Sequence, residues 1–107
     1  MRIWDLPPAV LCRQHLLGEH RELHALFKII KEGRKGYAHH PETLRWVGKL
    51  PALNARHERL VREMKKRGYA HHSPLPACKG KARQYSFLVS PAEQRRLLRK
   101  KGCNCAV

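Results

Sequence analysis

Acidic residues are scarce in this chain. Eight Asp and Glu stand against 23 Lys and Arg in 107 residues, a formal charge of +15. Self-repulsion at this density argues against a domain that merely tolerates its charge, so the imbalance points to a polyanionic partner, nucleic acid first. A long apolar run is also missing. No stretch approaches the roughly 18 residues of a membrane span, so no membrane partner is expected. The opening Met1-Arg2-Ile3-Trp4-Asp5-Leu6-Pro7-Pro8 lacks the apolar core of a secretory signal, which makes the cytoplasm the expected location. Cysteine is limited to Cys12, Cys78, Cys103 and Cys105. In a reducing compartment these are free thiols or metal ligands rather than disulfides. The length leaves room for one small domain with a modest core, not for two domains or a large cavity.

What remains is helical patterning. The fold class expected is all-α: a compact single domain of about three main helices with long connecting loops. Residues 1–7 read as extended, with Trp4 and Leu6 as apolar anchors. A first main helix is expected from about Pro8 to Lys31, with Leu16, Leu23, Phe27 and Ile30 on one face. Gln14 and His15 recur at plus seven as Arg21 and Glu22 and form a polar stripe. Gly18 sits inside that stripe, where glycine costs roughly 0.5–1 kcal/mol relative to alanine. It leaves room for something to approach the backbone, either the N-terminal strand or a DNA backbone. The plain alternative is an amphipathic helix with a solvated polar face.

Pro41 to Val47 reads as a short helix. A second main helix is expected over about Pro51 to Arg67, with Leu53, Leu60, Val61 and Met64 as its apolar stripe. Arg56, Arg59, Arg62, Lys65 and Lys66 are assigned to the opposite face. The two main helices should pack on each other, because their apolar faces are the only sizeable ones available. Tyr85 to Val89 reads as a short extended segment. Ser90-Pro91-Ala92-Glu93 starts a third main helix: serine as cap, proline at the first position, glutamate three residues on. It should end near Lys101-Gly102.

Gly36-Tyr37-Ala38-His39-His40-Pro41 recurs as Gly68-Tyr69-Ala70-His71-His72-Ser73-Pro74, each copy after a basic pair. Two copies do not make a repeat array. They are phosphate- or base-touching turns, or plain helix stops with packing tyrosines. Trp4 and Trp46 are assigned to packing rather than to base stacking.

Gln14-His15-Leu16, then Glu19, then Arg21-Glu22-Leu23, lie a fixed distance after Met1-Arg2-Ile3. With Arg56 through Lys66-Arg67-Gly68-Tyr69, these residues resemble the pyrimidine-dimer DNA glycosylases, the phage endonuclease V family. The resemblance covers about residues 1–70 and leaves 75–107 as a divergent basic segment. It implies an all-α fold and a two-step reaction on damaged double-stranded DNA. An N-terminal α-amine attacks the sugar C1′, the base is displaced, a Schiff base forms, and β-elimination breaks the strand. It places the nucleophile at Met1 and the catalytic carboxylate at Glu22. Arg2, Gln14, His15 and Arg21 fall on positions that bind damaged DNA or shape the site, and Lys66 and Arg67 on DNA-binding positions. Because Arg2 is large, retention of Met1 is expected, whereas the phage enzyme exposes a small residue. A further basic position of the pattern falls at Ala25.

The residue types suit that chemistry. An α-amine titrates near pH 8, roughly two units below lysine, so more of it is neutral and nucleophilic at pH 7. A carboxylate beside it stabilises developing positive charge and moves protons. The resemblance implies no required cofactor, and a monomer is expected.

Two other readings stand beside this one. Cys78, Cys103 and Cys105, completed by Cys12 or by a histidine of His71-His72, offer four soft ligands for structural zinc. Their spacing is not that of a known finger, and free thiols are favoured. The +15 charge also fits a non-enzymatic, ribosome-associated protein that binds ribosomal RNA. In that case Glu22 pairs with a neighbouring arginine.

Overall fold

In a computed structural model, residues 2–33, 39–70, 74–75 and 83–107 are described. A 3-10 turn at Pro8–Val10 precedes four helices: α1 (Arg13–Glu32), α2 (Pro41–Trp46), α3 (Leu50–Lys66) and α4 (Pro91–Lys100). No strand occurs among the described residues, and no helix is long and apolar enough to cross a membrane.

The core forms where the helices place leucine at helical spacing. Leu16, Leu23, Leu26 and Phe27 of α1 meet Leu53, Leu60 and Met64 of α3, and Leu98 of α4 completes the cluster. Ile3, Trp4, Leu6 and Leu11 join it from the irregular N-terminal segment. Between Ile3 and Leu6 no helix or sheet pairs the backbone, so side chains do so. Arg56 Nη1 donates to the Leu6 carbonyl at 2.7 Å. Gln94 accepts from the Asp5 amide at 2.8 Å. Arg45 Nη1 reaches both Asp5 carboxylate oxygens at 3.0 Å, and its Nη2 reaches the Ile3 carbonyl. Glu42 holds Arg45 Nε and Trp46 Nε1, both at 2.8 Å.

This anchoring corrects the expected start of the first helix. Leu11 and Cys12 are extended, at ψ 138° and 167°. The extended turn puts Leu11 in the core, so α1 begins at Arg13 rather than Pro8. Gly33 closes α1 in the left-handed region at φ 63°, its amide bonded to the Ile29 carbonyl. α4 starts as the sequence predicts: Ser90 Oγ accepts from the Glu93 amide at 3.2 Å.

Within Tyr85 to Val89, which pairs in no sheet, the Ser86 carbonyl accepts from Arg45 Nη1 at 2.8 Å. One further expectation changes. Arg56 does not share the exposed face of Arg59 and Arg62: it is 7% exposed. It lies three residues after Leu53 and four before Leu60, on the buried stripe. Trp4 and Trp46 are both buried. In the second copy of the repeated turn, Tyr69 packs half-buried against the core. Tyr37, His71 and His72 lie outside the described residues.

Candidate active site

The first three turns of α1 present Gln14, His15, Gly18, Glu19 and Glu22 to one cleft. Spacings of three, four and seven among them make neighbours on a helix surface. Arg2 and Trp4 from the anchored N-terminal segment, Leu97 of α4 and Lys101 at its C-cap close the opposite walls. The result is a cleft of about 350 Å³. Four of the sequence-predicted site residues, Arg2, Gln14, His15 and Glu22, thus come together. Met1, which precedes Arg2, lies outside the described residues.

The cleft wall is built on Glu19. Only 2% exposed, Glu19 accepts from the Trp4 amide at 3.0 Å and from Arg56 Nε at 2.7 Å and Nη2 at 3.0 Å. Burial pushes the Glu19 carboxyl above its usual range, against the Arg56 charge and the Trp4 amide. Trp4 is flanked by two site residues: the Arg2 guanidinium lies 4.9 Å from its ring centroid, and His15 meets it edge-on at 5.9 Å. Burial, aided by the Lys101 charge, holds the His15 imidazole below its usual pKa.

Gly18 borders this cleft with nothing within 4 Å of where a Cβ would stand. The expected approach of the N-terminal strand to Gly18 is not seen among the described residues; the glycine keeps the cleft wall open instead.

The remaining predicted residues sit elsewhere. Arg21 is exposed and lines an adjoining groove of about 550 Å³ that shares Gln14. Lys66 borders a smaller groove of about 230 Å³ beside Arg62. Arg67 is committed within the chain: its Nη2 donates to the carbonyls of Pro8, Ala9 and Leu11, and its Nε to Glu63 at 2.9 Å. A larger groove of about 870 Å³, lined by Trp4, Trp46, Arg56, Arg59 and Arg83 among others, contains none of the predicted site residues.

Sequence reasoning missed Leu97 and Lys101, because nothing local links a helix near residue 100 to one at residue 15. It also missed the pairing of Glu19 with Arg56, although both sit at buried helical spacings.

The tail after α4 returns to the start of α1. The Ala106 amide donates to the Val10 carbonyl at 2.7 Å, and the Cys12 amide to Cys105 Sγ at 3.0 Å. Cys12 caps α1. Burial raises its thiol pKa, but the His15 and Gln14 amides and the Cys105 and Cys103 thiols bring it below the usual value. Burial pushes the Cys105 thiol up to about 12.

Residues 1–77 match the protein family described as pyrimidine dimer DNA glycosylase. No curated protein and no solved structure matches the chain. The match contains the anchored N-terminal segment, α1 and α3, and with them every predicted site residue. On that match, the chain belongs to the pyrimidine dimer DNA glycosylase family.

Proposed function

We propose that this protein is a DNA glycosylase with abasic-site lyase activity on duplex DNA carrying pyrimidine dimers, and that the Met1 α-amine is its nucleophile. The observation that carries this reading is the convergence of Arg2, Gln14, His15, Gly18 and Glu22 on one cleft. Arg2 follows Met1 directly in the sequence.

The amine lone pair attacks the sugar C1′. The glycosidic C1′–N bond breaks, and the base leaves with the bonding pair and takes up a proton. Opening of the sugar ring and loss of the amine proton give the iminium. Removal of a C2′ proton then expels the 3′ phosphate and breaks the strand. Glu22 stabilises the positive charge that develops at C1′ and carries protons between these steps. Arg2 and Lys101 hold phosphate against the cleft. Exposed Arg59, Arg62, Lys65 and Lys66 of α3 add sequence-independent phosphate contacts. None of these steps needs a cofactor.

A duplex with a single pyrimidine dimer tests the reading: base release and a strand break are both expected. Tight binding with neither product would leave a nucleic-acid-binding protein on this scaffold.

A further inference from the structure

The Cys103-x-Cys105 tail and Cys12 are not used by the chemistry above, yet the fold brings them together. Cys12 precedes α1, His15 lies in its first turn, and Cys103 and Cys105 follow α4. One donor atom from each of these four residues lies within 4.8 Å of the other three. Cys12 Sγ is 3.1 Å and Cys105 Sγ 3.4 Å from His15 Nδ1. All three cysteines are half-buried.

A tetrahedral zinc with bonds of about 2.3 Å to sulfur and about 2.0 Å to nitrogen needs S···S edges near 3.8 Å and S···N edges of about 3.5 Å. The cluster has that size and that number of donors. Soft thiolates with one imidazole select zinc over hard cations, and four protein donors leave no open position, which marks a structural site. Zinc with three thiolates carries one net negative charge, a favourable insertion into a chain of +15. The other imidazole cluster, His20, His24 and His57, offers three donors and no thiolate.

We infer that Cys12, His15, Cys103 and Cys105 bind a structural zinc ion that fastens the C-terminal tail to the first turn of α1. Cys78, an expected ligand, lies outside the described residues and is not part of this set. The site stands or falls independently of catalysis in the cleft. It also bears on the cleft: zinc on Nδ1 fixes the proton on Nε2 and makes His15 a permanent donor there.

The test uses untagged full-length protein, purified under reductant from zinc-supplemented cells. Elemental analysis should find one zinc per chain. Metal-free protein titrated with Co²⁺ should develop thiolate-to-cobalt charge transfer and the intense visible bands of tetrahedral cobalt, saturating at one equivalent. Cys78→Ser should keep the metal, and the Cys103→Ser, Cys105→Ser pair should lose it. The cobalt titration on the unsubstituted chain does not depend on whether the variants fold. Substoichiometric zinc together with absence of the charge-transfer band would overturn the site. So would a Cys12–Cys105 disulfide in the reduced preparation, or full zinc retention by the double variant.

Discussion

Arg56 Nε and Nη2 grip the two carboxylate oxygens of Glu19 at 2.7 and 3.0 Å, joining α3 to α1 directly behind the cleft. Glu19 in turn holds the Trp4 amide, and Arg56 the Leu6 carbonyl. The pair therefore sets where the N-terminal segment runs, and so where Arg2 stands.

Removing one partner strands the other. Arg56→Met leaves the Glu19 carboxylate buried without its counter-charge, a loss of about 3–5 kcal/mol at neutral pH. The sign with pH follows. Glu19 is already raised above its ordinary 4.5 by burial, and losing Arg56 raises it further. A folded-state pKa above the unfolded value contributes stability at low pH that is lost as pH rises through the folded pKa. The deficit of the variant should therefore be smallest near pH 4.5 and grow towards pH 7, and Glu19→Gln on the same background should flatten that growth. Urea unfolding at both pH values checks this; a deficit that shrinks as pH rises contradicts it.

Gly18 separates stability from access. A Cβ there meets nothing within 4 Å, so Gly18→Ala should stabilise α1 by about 0.5–1 kcal/mol. Gly18→Leu should fold equally well but fill the cleft, lowering cleavage of dimer-containing duplex by roughly tenfold or more through misplacement of the sugar. Melting temperature and cleavage rate of the two variants distinguish the effects. Unchanged cleavage by Gly18→Leu would place the substrate elsewhere.

Lys66 and Arg67 are neighbours with opposite commitments. Arg67→Met removes charge-assisted bonds to three carbonyls and should cost about 1.5–3 kcal/mol of stability, with little change in the salt dependence of DNA binding. Lys66→Ala should leave stability alone and reduce the slope of log affinity against log salt by about 1. Salt titrations paired with unfolding curves read both.

The α1 and α3 stripes, the serine cap of α4 and the grouping of Gln14, His15 and Glu22 were legible in the sequence, because helical periodicity and capping are local. The path of residues 3–11 was not. It is fixed by Arg45, Arg56, Arg67 and Gln94, whose partners in that path lie 40 to 89 positions away and follow no period. The helix start shifted for the same reason: Pro7-Pro8 permits a helix, but burial of Leu11 requires an extended turn. Arg56 shows a different failure. Its position on the buried stripe was readable, but its charge argued for solvent, and only the buried Glu19 resolves the conflict.

Glu22→Gln should lower strand cleavage at abasic sites by about 10²–10⁴-fold while duplex affinity stays unchanged. Wild-type turnover by this variant would remove Glu22 from the mechanism.

The central claim is a covalent intermediate on the chain terminus. Borohydride reduces an iminium to a stable amine, so incubation with abasic duplex and borohydride should trap protein on DNA. Peptide mass spectrometry should map the adduct to the Met1 α-amine, and prior acetylation of that amine should abolish trapping. No adduct under conditions where the duplex is bound, or an adduct confined to a lysine side chain, would contradict the account.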